Sequence, residues 1–324
     1  MLRLPAGIAA DNLERLADWV EASALVENDA VSKAQVMEEL ESSGLVLPLS
    51  ETFSEDDDEL GLGFDEMATD ALERLAEDIF DRCATRFRAY GEGYPFVLAR
   101  DTVSRNTVSL DSYAFLLVAD LGHHYPELKD ALTPDTLSGR LMEKIVEASA
   151  RGLFGKSQRF GWPREPDWPT GINDRVTRLE YELDIVVDSL DGKTDPADND
   201  RTLDVVGMFR IGDSYEASLS ILIQCAAGQN WKTKLGDPST SAWHNLLVWN
   251  TSIVRAIALP WRLGGRRSDW SYARVHAMSN GAMVLDRPRL LLGRPDSHLD
   301  PEVRPEVSKW WKEAVVLLPS SRSR

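Results

Sequence analysis

Through the first half of the chain apolar positions recur at intervals of three and four residues, the spacing of amphipathic helices. In "DNLERLADWVEASAL", Leu13, Leu16, Trp19 and Val20 share one face, and Asp11 or Asn12 stands where an N-cap belongs. "SKAQVMEELESSG" repeats the pattern and stops at Gly44. "SETFSEDDDELGLG", residues 50–63, is polar and charged, which predicts a linker. A long helix is predicted for "FDEMATDALERLAEDIFDRCATRFRAY", with Met67, Leu72, Leu75, Ile79 and Phe80 on one side. "SLDSYAFLLVADLGHHY" and "LSGRLMEKIVEASARGLFG" predict two more.

Near residue 157 the texture changes. "RFGWPREPDWPTG" is rich in Pro, Trp and Gly. "INDRVTRLEYELDIVVDSL" predicts a helix whose stripe is Ile172, Val176, Leu179, Leu183 and Val187. After the polar "DGKTDPADNDR", two β-branched runs, "TLDVVGMFRIG" and "ASLSILIQCA", predict strands joined by the turn-like "GDSYE". "SAWHNLLVWN" reads as a short helix and "SIVRAIALP" as a strand stopped by Pro260. "AMVLDRPRLLLG" fits helix or strand, and "PEVRPEVSKWWKEAVVLL" predicts a terminal helix. The order is that of a mixed α/β (α+β) chain: a helical N-terminal region, 1–156, then an αββαβ core in 157–324.

Composition narrows the function classes. No apolar run approaches the roughly 20 residues of a membrane span. "MLRLPAGIAADNLERL" has no signal-like apolar core, so a cytoplasmic location is expected. The two cysteines, Cys83 and Cys225, rule out a disulfide scaffold and form no zinc motif. Adjacent His123 and His124 diverge by about 100° on a helix and do not suit one ion. The net charge of −17 argues against an indiscriminate nucleic-acid coat. That charge is uneven: residues 51–82 hold 13 Asp/Glu against 2 Arg, and residues 255–324 hold 13 Arg/Lys against 7 Asp/Glu. A polyanion can therefore dock on the C-terminal part through Lys234, Arg262, Arg266 and Arg267. No phosphate-binding loop or acyl-transfer motif is present.

Three polar residues converge on the core. Asp204 opens the first strand and Gln224 ends the second, so a hairpin makes them neighbours. Glu180 lies at the edge of the helix stripe and is expected to face the sheet, with Glu182 as competitor. Two carboxylates and an amide oxygen are hard donors suited to Mg²⁺. Lys232 or Lys234 would reach the same spot and offset charge on a phosphoryl group.

Helix with Glu, strand with Asp, strand ending in Gln, helix, strand resembles the PD-(D/E)xK, restriction-endonuclease-like superfamily. "TLDVVGMFRIG", "ILIQCAAGQNWKTK" and "RFGWP" resemble its glutamine-bearing branch, including nucleases of bacterial antiphage defence. The resemblance covers about residues 157–292. It implies a Mg²⁺- or Mn²⁺-dependent endonuclease with Asp204, Gln224 and Glu180 at the metal and Lys232 assisting. It further implies nucleic acid, DNA by expectation, as substrate, and a second protein subunit, a sensor or ATPase, as partner. One position departs from the pattern. The superfamily lysine belongs two residues after the Gln, where this chain has Ala226. The alternative is a catalytically inactive, nuclease-like adaptor.

Overall fold

The computed structural model describes residues 1–27, 30–45, 64–90, 93–106, 111–132, 137–195, 197–209, 219–228, 230–247, 253–264, 267–279 and 281–320. The acidic linker 50–63 and the turn "GDSYE" lie outside these residues. The fold is mixed α/β, helical first and with its larger sheet later, as the pattern predicts. It divides into two units, residues 1–110 with 124–127 and 313–324, and residues 111–123 with 128–312. The helix before residue 156 and the strand across it lie in the second unit.

In the first unit α1 (Leu13–Glu27), α2 (Lys33–Ser42) and α3 (Phe64–Tyr90) accompany a small antiparallel sheet. Its strands are β1 (Val31–Ser32), β2 (Phe96–Ala99) and β3 (Thr102–Arg105), in the order β1-β3-β2. A capping box starts α2, with the Gln35 N–H on Ser32 Oγ and the Ser32 N–H on Gln35 Oε1. The core of this unit is partly ionic. Glu14, Asp18 and Glu21 stand four and three residues apart on α1, hence on one face, and all three are buried. Arg86 of α3 lies among them, fully buried: Nη1 donates to Asp18 (2.7 Å) and Glu21 (2.8 Å), and Nη2 to Glu14 (2.7 Å). Tyr94 Oη donates to Glu21 at 2.5 Å.

The second unit is built on a five-stranded sheet: β4 (Gly155–Arg159), β5 (Val205–Phe209), β6 (Leu219–Cys225), β7 (Val254–Ala258) and β8 (Ala282–Leu285), in that spatial order. β4, β5 and β6 run antiparallel to one another; β7 and β8 run parallel to β6. Most residues of β5, β6 and β7 are buried, which explains their largely apolar sequences. α5 (Leu137–Phe154) leads directly into β4 and covers one face. A Cβ at Gly207 would meet Phe154 Cδ2 at 3.0 Å, so the missing side chain lets that helix approach. α6 (Ile172–Leu183) packs through Ile172, Val176, Leu179 and Leu183 with Val206, Met208 and Leu222. It stops earlier than the stripe suggests, because Asp184 takes the left-handed cap conformation (φ 53°) and Val187 bridges to Leu247 instead.

The remaining elements are α4 (Asp111–Leu121), α7 (Thr240–His244), α8 (Arg267–Ser279), α9 (Arg287–Leu292), α10 (Pro295–His298) and α11 (Val303–Val316). The ambiguous "AMVLDRPRLLLG" resolves into both, β8 and then α9, with Pro288 in the first turn of the helix.

Replacing Arg86 by Met leaves three buried carboxylates with no central cation. The expected loss is about 3–5 kcal/mol, measured by chemical denaturation of the full chain; a change below about 1 kcal/mol contradicts the ionic core.

Candidate functional site

The antiparallel register sets Val205 opposite Ile223, so Asp204 and Gln224 face each other at the next step. Gln224 Nε2 donates to Asp204 Oδ2 at 2.6 Å, and the Cys225 N–H donates to the same oxygen at 2.6 Å. Both side chains are buried, Asp204 6% and Gln224 7% exposed. Gln224 Oε1 has no hydrogen-bond partner among the described residues. A buried amide oxygen left without a donor is costly, and a cation is one way to satisfy it. The Cys225 carbonyl lies 3.1 Å from Gln224 Nε2, so a further oxygen stands at the strand end.

Glu180, expected to face the sheet, does not reach Asp204. Glu180 is exposed on α6, because that helix turns Val176, Leu179 and Leu183 inward and leaves Glu180 on its outer side. The carboxylate that reaches the pocket is Glu143, on α5. Gly161 shows how close it comes: a Cβ there would lie 2.4 Å from Glu143 Oε2 and 3.1 Å from Asp204 Oδ1. Only a glycine leaves room for both acids. Arg159, the last residue of β4 and 1% exposed, holds Glu143 Oε2 at 2.7 Å. It also donates to Glu165 (3.0 Å) and to the Pro163 carbonyl (2.8 Å). The pocket thus assembles from the ends of β4 and β6, the entry to β5, and one turn of α5.

The cations separate as well. Lys232 points to the aromatic side of its 3-10 turn, with Nζ 4.8 Å from the Tyr272 ring centre and 5.7 Å from that of Trp231. The positive charge of Lys234 opposes the rise in proton affinity of both Asp204 and Cys225. Ala226 is buried and its N–H continues the ladder to the Ala258 carbonyl at 2.9 Å. Arg262 follows β7 near Asp286, half-buried. Arg266 and the side chain of Arg267 lie outside the described residues. His123 Nε2 hydrogen-bonds the Ala227 carbonyl.

Charge in the pocket is unbalanced. Burial pushes the Glu143 carboxyl up to about 7, with Arg159 pulling the other way. Asp204 is pushed well above the usual carboxylate range, first by burial and then by the negative field of Glu143; the Cys225 N–H and Lys234 oppose this. The Cys225 thiol is raised by burial and by both acids, so it is not a nucleophile near neutral pH. Among the described residues no group of three or more His, Cys, Asp or Glu side chains has the arrangement of a metal centre. The donor set is instead two carboxylates and an amide oxygen, which suits a hard divalent ion that keeps several waters. No protein-family model, no curated protein and no solved structure matches the chain.

The raised acids give a pH dependence of definite sign. Folded, they hold protons at a pH where the unfolded chain has released them. Their contribution is fully present below the ordinary carboxylate range, about pH 4, and is lost as pH rises through about 7 for Glu143. Metal-free protein is expected to melt lower at about pH 8 than at about pH 5, and Glu143→Gln to flatten the slope by up to about 3 kcal/mol. Thermal melts across that range check it; a slope unchanged in the variant contradicts the burial of this acid.

Proposed function

We propose that this chain is a metal-dependent nuclease with a restriction-endonuclease-like core that hydrolyses phosphodiester bonds. The observation that carries the proposal is the meeting of Glu143, Asp204 and the unpartnered Gln224 Oε1 at one sheet edge. The antiparallel β4-β5-β6 run, extended by parallel β7 and led by α5, supports the same reading. In this reading the helix glutamate is Glu143, and the motif begins at α5 rather than at α6.

The residues fit Mg²⁺ or Mn²⁺: Asp204 Oδ1, Gln224 Oε1 and Glu143 would hold it, with the Cys225 carbonyl beside them. Such an ion supplies a nucleophilic hydroxide at neutral pH and stabilises the leaving oxygen. The chain's own groups prepare the site. The Cys225 N–H and Gln224 Nε2 fix Asp204 Oδ2 and turn Oδ1 toward Glu143. Arg159 locks the rotamer of Glu143. Lys234 brings positive charge to the side where the superfamily lysine is absent, and would steady a phosphate oxygen there. The two free thiols fit a reducing, cytoplasmic setting. Among the described residues no helix is long and apolar enough to cross a membrane. A role in antiphage defence beside a sensor or ATPase subunit follows from the sequence resemblance and belongs to the same proposal.

One observation favours an inactive adaptor instead: Ala226 occupies the lysine position and is sealed in the core. Cleavage of plasmid, linear DNA and RNA with Mg²⁺, Mn²⁺ or EDTA separates the two. The nuclease is expected to lose at least about 100-fold activity in Asp204→Ala and in Lys234→Ala, and to keep full activity in Glu180→Ala. Arg159→Met is expected to weaken metal affinity about 10- to 100-fold. Metal-independent behaviour of every variant, alone and with a companion subunit, favours the adaptor.

A further inference from the structure

The sheet edge that carries the acids also carries aromatic rings on both flanks. On the β4 side Trp162 follows directly after Gly161. Its N–H is held by Asp200 Oδ2 at 3.1 Å, and its side chain is 45% exposed. Two other tryptophans of the same core, Trp168 and Trp243, are 6% and 0% exposed. Trp162 has therefore forgone a burial that its neighbours obtain. The Arg175 guanidinium lies 5.8 Å from its ring centre.

On the β7 side the 3-10 turn that follows Gln224 carries Trp231. This ring is 7% exposed and sits edge-on to Trp261 (6.1 Å) and Tyr272 (6.5 Å). Buried Trp231 thus backs Tyr272, which is 36% exposed. The His276 ring lies 4.0 Å from Tyr272 at 33°. The Lys232 ammonium stands 4.8 Å from the Tyr272 ring centre. Strand order puts the acid pocket, between β5 and β6, in the interval separating these two surfaces.

We propose that Trp162 and the Tyr272–His276 pair are stacking platforms for the nucleobases of an unpaired strand, whose backbone passes over the pocket between them. A base offers its face to a ring only when no neighbouring base pair covers it, so the platforms select single strands over duplex. Lys232 and Lys234 supply the positive charge that follows the phosphates. Stacking is tolerant of sequence, since every base has a π face. The proposal deepens the nuclease reading by naming its substrate class, but the binding it asserts needs no catalysis.

The test uses the full chain in EDTA, so that nothing is cut, with labelled single-stranded DNA, single-stranded RNA and duplex DNA of one mixed sequence, followed by fluorescence anisotropy. Single strands of at least one sugar type are expected to bind about ten-fold or more tightly than duplex. Trp162→Ala and Tyr272→Ala are each expected to weaken that binding about ten-fold, Trp162→Phe to retain most of it, and Glu180→Ala to leave it unchanged. Duplex bound as tightly as both single strands, or single strands bound equally by wild type and both alanine variants, overturns the proposal. Stacking-dependent binding without metal-dependent cleavage keeps the platforms and removes the nuclease; cleavage indifferent to Trp162 and Tyr272 does the reverse.

Discussion

The pairing of β5 with β6 is the constraint from which the pocket follows. With Val205 opposite Ile223, Asp204 and Gln224 meet, and the Cys225 N–H completes the grip on the carboxylate. A slip of one residue would exchange the side chains that β6 packs against α5 and α6, and carry Gln224 away from Asp204. Register is strongly specified here because both faces of the sheet are covered, by α5 on one side and by α6 on the other. The same burial that fixes the strands desolvates the acids at their ends. Packing and polarity are therefore linked: the core that positions Asp204 also raises its proton affinity.

Two buried ionic clusters show opposite solutions to one problem. Around Arg86, three carboxylates share a central guanidinium with hydrogen bonds of 2.7–2.8 Å. Beside Asp204, Arg159 holds Glu143 and divides its remaining donors between Glu165 and a carbonyl. The first cluster supplies its own cation; the second leaves an amide oxygen unpartnered. Buried acids with strongly raised proton affinity gather at functional sites as well as in structural ion networks.

The strand pair and its two polar ends were legible in the sequence because the evidence was local. A run such as "ILIQC" states both its strand and the interruption of it. The helix acid was not legible in the same way. Glu143 and Glu180 each stand on an amphipathic helix near a strand, and periodicity says which face is apolar, not which helix covers the pocket. The strand that decides it, β4, has the sequence "GKSQR", with no β-branched residue and two charges, so pattern alone does not announce it. Pattern alone therefore does not join α5 to the sheet that it leads into. Lys232 and Lys234 stand close together after Gln224, and sequence alone does not show that the 3-10 turn sets Lys232 against the Trp231 and Tyr272 rings.

The contributing residues are spread along the chain: Glu143, Arg159, Gly161, Asp204 and Gln224 span more than 80 positions, and none of them pairs with another inside a single helix or turn. During synthesis, Glu143 leaves the ribosome long before the strand bearing Gln224 exists, and β6 in turn needs β5 beneath it. Non-local closure of this kind comes late in folding. Whatever chemistry the pocket performs is thereby withheld from every fragment and every partly made chain, and a cell meets it only in finished molecules.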